Sequence, residues 1–199
     1  MKSITWPLDL DAALALANTI HGPGAHYRRR ASANEPAHDH LDTPERAIEF
    51  LGSHGVPLPQ DPLRPADLEP LRIARDAARR LTNIASADLP TWTDDVRGLL
   101  GDATFRVATD GVLRAAARGW RGLAHEMLPA VLALGDEQDR LRHCGNPLCT
   151  WLFVDRSRNA GRVWCEMAVC GNRVKVGRHR AAARSSRRTH LQPLATTRA

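Results

Sequence analysis

"HCGNPLCTWLFVDRSRNAGRVWCEMAVCGNR", His143 to Arg173, holds all four cysteines of a 199-residue chain. The spacing is Cys144-x4-Cys149-x15-Cys165-x4-Cys170, two short pairs separated by an arch. A zinc ion takes four tetrahedral ligands, and two tight turns brought together by an arch of this length can supply them. Cys-Gly-Asn occurs twice, at 144–146 and at 170–172. Glycine allows a positive φ and asparagine closes an Asx turn, so each triplet is expected to fold backbone N–H groups toward the thiolates. Between the pairs, "TWLFVDRS" alternates like a strand with Trp151 and Phe153 on one face, "RNAGR" contains a turn, and "RVWC" is expected to return as a second strand. After Cys170, "GNRVKVGRHRAAARSS" reads as a basic helix with Asn172 as its cap.

Other uses of four cysteines fit less well. Disulfides need an oxidising compartment, and scattered structural thiols would not cluster. A redox switch built on metal thiolates has the same sequence as a structural site. Four protein ligands leave no position for a catalytic water, which argues against zinc chemistry in this segment. The expected cofactor is one structural Zn2+ on Cys144, Cys149, Cys165 and Cys170. Trp164, beside Cys165, is expected to be a lid on that site rather than a stacking platform for bases.

Charge divides the chain at the same place. Residues 1–139 carry 15 Lys+Arg against 20 Asp+Glu, a net of −5, whereas residues 140–199 carry 13 against 2, a net of +11. Only Lys2 and Lys175 are lysines, an arginine bias of the kind a GC-rich genome produces. Codon bias would not confine the excess to one end, so the segregation points to a polyanionic partner. Arg173, Lys175, Arg178, Arg180 and Arg184 are the expected nucleic-acid contacts, with Arg173, Arg180, Arg184 and Arg187 on one side of a helix. Arg156, Arg158 and Arg162 on the arch could add phosphate contacts, although Arg162 is expected to pair with Asp155.

The first 138 residues read as helices joined by Pro/Gly-marked loops. Leu10, Ala13, Leu14, Ala17 and Ile20 recur at helical intervals. Thr43 and Pro44 open a second helix that buries Ala47, Phe50 and Leu51 and stops at Gly52 or Gly55. Residues 66–86 give the clearest amphipathic pattern, with Leu71, Ala74, Ala78, Leu81 and Ile84 on one stripe and arginines opposite. A short helix is expected over 94–100, capped by Thr93. Phe105, Val107 and Asp110-Gly111 predict a small hairpin. Residues 119–135 return to helix, with Trp120, Leu123, Met127, Val131 and Leu134 on one face and a kink or new turn at Pro129. His21–His40 reads as a long polar loop. Its "HDHLD" (38–42) has metal-capable groups but no i, i+4 framework, so a solvated loop is preferred over a second metal site. His125 and Glu126 are adjacent and point apart on a helix.

The finger segment strongly resembles the CGNR zinc finger, a bacterial module, through both Cys pairs, Phe153, Asp155, Ser157, Asn159, Arg162, Trp164 and Met167. Pro147-Leu148 in the first turn departs from that pattern and leaves the ligands intact. The preceding region resembles the ABATE domain through "LALANT" (14–19), "TPE" (43–45) and the helix order. The resemblance implies a stress-induced transcription regulator. The expected fold is mainly α, a helical N-terminal domain with a small hairpin (1–138), followed by a treble-clef-like four-cysteine zinc finger of β-hairpin plus basic helix (139–185) and a disordered basic tail (186–199).

The expected activity is zinc-dependent DNA binding, with the helical domain sensing a ligand, dimerising, or both. Two alternatives stand beside it: an RNA-binding module, or a small-molecule-binding protein whose finger is purely structural. No phosphate loop, nucleophile elbow or paired-carboxylate motif points to an enzyme. No apolar run reaches the ~18 residues of a membrane span. The N-terminal stretch lacks the pattern of a signal peptide, so the expected location is the cytoplasm.

Overall fold

The structure, a computed structural model, describes residues 7–22, 38–83 and 103–190, with Trp92, Asp94, Val96, Arg97 and Gly101 between them. The core forms where three alanine- and leucine-rich helices meet: α1 (Leu10–Ala17), α3 (Leu68–Arg80) and α4 (Gly119–Asp136) pack pairwise. Asp9 caps α1 by accepting from Ala12 N at 3.0 Å. α2 (Pro44–Ser53) starts as expected, with Thr43 Oγ1 accepting from Arg46 N and Pro44 in the first turn, and it buries Ala47, Phe50 and Leu51. Gly55, with φ of +77°, lies just past its end.

α4 is one continuous helix through Pro129, so of the two expectations a new turn does not occur there. Its buried face, Trp120 to Leu134, packs on α1 and α3, and that packing holds the helix across the missing amide. The predicted hairpin forms from β3 (Phe105–Val107) and β4 (Leu113–Ala115), with Asp110 Oδ1 accepting from Val112 N across the turn. The helix expected over 94–100, its Thr93 cap, and Ile84 lie largely outside the described residues. Trp92, Asp94, Val96 and Arg97 are helical there. Most of the expected loop 21–40 also lies outside them, but its ends meet as two-residue strands β1 (Ile20–His21) and β2 (His38–Asp39).

The arginines of α3 do not all turn to solvent. Arg75 is buried and bonded to Asp39 at 2.6 Å and Asp76 at 2.8 Å. Arg72 donates to Leu41 O, and Arg79 donates to both Ala17 O and Thr150 O. A long side chain can bury its methylenes and still deliver its guanidinium to carbonyls at element ends, which a hydrophobicity pattern does not register.

The finger's hairpin differs from expectation. β5 (Leu141–His143) pairs with β6 (Leu152–Val154), and residues 161–164 form no strand. The first Cys pair is therefore the tip of the hairpin. The short "LRH" preceding Cys144, three residues long, is too brief to carry a period-2 strand signal.

β6 belongs to two cores at once. Leu152 and Val154 join the helical core together with Leu141, while Phe153 between them joins the cysteine cluster. The period-2 alternation of a strand places successive side chains on opposite faces, and here each face meets a different body. Cys144 N donates to Trp151 O and Asp155 N to Arg140 O in this hairpin, which makes Leu152, opposite His143, a position that turns its N–H and C=O outward. Asn18, fully buried at the end of α1, takes both: Nδ2 donates to Leu152 O at 2.9 Å and Oδ1 accepts from Leu152 N at 2.7 Å. A buried side chain thus stands in for a neighbouring strand. Replacing it by the isosteric leucine, Asn18→Leu, leaves two buried backbone groups unpaired and should cost about 2–5 kcal/mol. Denaturant unfolding measures this, and a change below about 1 kcal/mol, the net worth of a single ordinary hydrogen bond, would refute the role.

Candidate metal centre and nucleic-acid interface

Each half of the cysteine centre is set by a different element. Cys144 and Cys149 flank the tip of the β5–β6 hairpin, where Cys144 N donates to Trp151 O at 3.0 Å and Cys149 N to Asn146 O at 2.8 Å. Cys165 follows an irregular return segment. Cys170 lies in a π-type turn, Met167–Gly171, from which α5 (Asn172–His190) continues. All four thiols are buried and none forms a disulfide. Their sulfurs lie within 4.8 Å of one another, with Cys149–Cys165 at 3.9 Å and Cys165–Cys170 at 3.7 Å. Four thiolates about 2.3 Å from a central ion are separated by roughly 3.8 Å, so these edges have the dimensions of a tetrahedral zinc site.

The protonation chemistry agrees with the geometry. Hydrogen bonds from Cys149 and then Cys165 push Cys144 far below the ordinary thiol range, while the same sharing with Cys144 pushes Cys149 and Cys165 up. Buried thiols so arranged cannot all ionise against one another. A divalent cation at their centre lets them do so, and the donor set therefore fits Zn2+.

The two Cys-Gly-Asn triplets do different work. Asn146 closes the expected Asx turn, with Oδ1 accepting from Leu148 N at 3.2 Å, and its Nδ2 points at Cys170 Sγ at 3.5 Å. Asn172 is not the N-cap of α5. It is the helix's first residue, where the π-type turn ends, and it donates to Ala168 O at 3.1 Å. Neither glycine has a positive φ, which corrects the expected reason for them. Instead a Cβ would be crowded at both. At Gly145 it would come 2.6 Å from Val163 Cγ1, and at Gly171 it would overlap Met167 Sδ and lie 3.0 Å from Trp164 Cδ1. Trp164 thus packs on both triplets, as a lid should.

Around the return segment, Asp155 is fully buried and accepts from Ser157 N at 2.9 Å and Arg162 N at 2.7 Å. The Ser157 hydroxyl, then these two amides, hold its carboxyl below the usual range. The expected Asp155–Arg162 link therefore exists through the Arg162 backbone, not its side chain. The guanidinium instead lies 4.9 Å over the Phe153 ring and donates to Trp164 O and Cys165 O. Arg162 is a brace of the centre, and Arg156 pairs with Asp11 at 3.1 Å.

The basic residues fall on α5. Lys175, Arg178, Arg180 and Arg184 are exposed and Arg173 is half-buried. Every residue from Lys175 to Ser185 is exposed, so the helix stands off the body beyond its first turn. No acidic residue occurs in Asn172–His190. The helix also runs five residues into the expected disordered tail. The run Ala181–His190 contains neither glycine nor proline, so nothing within it breaks the helix. Residues 191–199 lie outside the described part.

Sequence reading missed the residues that tie this centre to the helical domain. Asn18 was visible only as a letter in a motif. Thr150 donates to Ile20 O at 2.8 Å and accepts from Gly22 N at 3.0 Å, and Thr82 bonds to His143 Nε2 at 2.7 Å. These contacts join residues far apart in the chain, which no local pattern reveals.

Two family models match the chain. The CGNR zinc finger matches residues 140–183, and ABATE, described as "Putative stress-induced transcription regulator", matches residues 10–142. No curated protein matches it.

Proposed function

Because the chain belongs to the ABATE family, we propose that it is a zinc-dependent DNA-binding transcription regulator that touches DNA through α5. The observation that carries this reading is the helix itself: a 19-residue segment with no acidic side chain, exposed on all sides from Lys175 to Ser185. A helical stretch of about 16 Å that stands free of the body gains little from packing. Phosphates supply what packing does not, since its cations neutralise them and release counterions. One Zn2+ on Cys144, Cys149, Cys165 and Cys170 sets the angle at which α5 leaves the body. The role is structural, and the protein is not an enzyme.

The helical domain is the sensing part of this proposal. A groove of about 380 Å³ between α3 and α4, lined by Glu69, Ile73, Arg121, Ala124, His125 and Leu128, is large enough for a small organic ligand. Dimerisation through the same domain would present two copies of α5 to two half-sites. Among the described residues no helix is long and apolar enough to cross a membrane, and a cytoplasmic regulator is the location that suits a DNA partner.

The experiment is a binding titration of the zinc-loaded full chain with duplex DNA fragments across a salt series. The logarithm of the affinity should fall linearly with the logarithm of salt concentration, with a slope of about −0.9 per phosphate neutralised. Competition with structured RNA separates the RNA-binding alternative. Absence of binding at low salt would leave the finger as a structural cap.

A further inference from the structure

Outside the cysteine centre, one other group of metal-capable side chains gathers among the described residues: His21, His38 and His40. In the sequence, His38 and His40 sit in a polar loop, 17 and 19 positions from His21. The fold closes that distance. β1 and β2 pair with His21 opposite His38, so the two side chains share a face. His40, two positions on, returns to the same side. The three rings lie edge to face with centroids 4.6, 4.8 and 4.9 Å apart.

One nitrogen from each ring lies within 4.8 Å of the others. His40 Nε2 is 3.4 Å from His21 Nδ1. Nitrogen ligands about 2.0–2.1 Å from a tetrahedral ion are separated by roughly 3.4 Å, so one edge of a coordination shell already has its length. The surroundings fix the rings. Phe50 stacks on His40 at 4.4 Å and meets His21 at 5.4 Å, and Trp151 lies 5.6 Å from His21. The neighbouring carboxylate is committed elsewhere, since Asp39 accepts from Arg75 through Oδ2 and from Leu41 N through Oδ1. The donor set is therefore three imidazoles and no hard oxygen.

We propose that His21, His38 and His40 form a second metal site, in the helical domain, that binds one divalent first-row transition ion such as Zn2+. Imidazole suits zinc, copper, nickel and cobalt, and discriminates against calcium and magnesium. Three protein ligands leave a fourth position for water or a small anion, unlike the closed cysteine centre. The site stands independently of the DNA-binding reading. It is also next to the finger: Trp151, whose indole faces His21, accepts through its carbonyl from Cys144 N at 3.0 Å.

The test uses the full chain without an affinity tag, titrated with Co2+ and then Zn2+ and assayed by elemental analysis. Two equivalents are expected. The first brings the thiolate-to-cobalt charge-transfer bands of the cysteine centre, and the second adds weaker ligand-field bands without them. In the His38→Ala/His40→Ala variant the second equivalent is lost and the first is retained, with circular dichroism reporting the fold. A wild-type chain that holds one equivalent, or a second equivalent untouched by the double variant, overturns the site and leaves the 3.4 Å contact as a ring-to-ring hydrogen bond. If the double variant does not fold, His38→Cys carries the test. It should keep the second equivalent and give it a charge-transfer band, and the lack of that band is equally decisive against the proposal.

Discussion

Cys149→Ser will release the metal and lower the stability of the helical domain together with the finger. Structural zinc contributes about 10–16 kcal/mol to small finger peptides, as much as the whole stability of an ordinary domain. Without it, buried Cys144, Cys165 and Cys170 have no cation to ionise against, and the segment from the hairpin tip to α5 opens. The damage then reaches the other core. Leu141, Leu152 and Val154 leave the cluster they share with α1, α3 and α4, and Asn18 loses both partners. Burial of three such side chains is worth roughly 5–9 kcal/mol before relaxation. A single cooperative melt, shifted down by about ten degrees or more, is expected for Cys149→Ser and for the wild type stripped with a chelator. Two separate transitions, the helical one unmoved, would show that β6 is not a shared strand. Zinc assay and thermal circular dichroism at the helix band suffice.

The same strand explains what the sequence could not disclose. Helix order, the cap at Thr43, the β3–β4 hairpin and the gathering of the four cysteines each rest on local signals: periodicity of about 3.6, a Thr-Pro start, an Asp-Gly turn, a repeated Cys spacing. These signals survive into the structure because nothing tertiary opposes them. What was illegible is non-local. Net charge changes sign near residue 140, and that shift suggested a boundary, yet the hydrophobic core crosses it through Leu141, Leu152 and Val154. Gly145 and Gly171 have their reason in Val163, Met167 and Trp164, side chains that meet them only in three dimensions. The arginines of α3 looked like a solvated face because a polarity pattern cannot show that Arg79 reaches two carbonyls 133 residues apart, Ala17 O and Thr150 O. His21 and His38 likewise become neighbours only through strand pairing.

Sharing a strand would give the proposed sensing a route to the finger. A finger on a flexible linker would report nothing about the domain before it. Here the end of α1 holds Leu152 through Asn18, α3 holds Thr150 through Arg79, and β6 carries Phe153 onto the cysteine cluster. Under the proposed sensing role, a ligand that shifted α1 or α3 by a fraction of an ångström would move the same strand that seats the cysteine centre, and so would change the direction in which α5 points. Packed interfaces of this kind respond as discrete alternatives rather than by continuous yielding. The coupling would be read as a change in DNA affinity on ligand binding, with the reciprocal change in ligand affinity on DNA.

If α5 is the DNA-contacting element proposed above, two pairs of substitutions decide which of its faces meets DNA. At about 100° per residue, Arg173, Arg180 and Arg184 fall within a narrow stripe, while Lys175 and Arg178 fall on the opposite side. Both sets are cationic, so net charge alone treats them equally. A helix in a groove does not, because one face approaches the bases and nearest phosphates. Arg180→Ala/Arg184→Ala should weaken binding about a hundredfold at low salt, two charge-assisted contacts being lost, and should flatten the salt slope by about 1.8. Lys175→Ala/Arg178→Ala should weaken it several-fold with a slope changed by much less. None of the four side chains touches either core, all being exposed, so both variants should melt as the wild type does. Equal losses from the two pairs would mean that α5 acts as a diffuse cationic rod, and no loss from either would move the nucleic-acid surface off this helix.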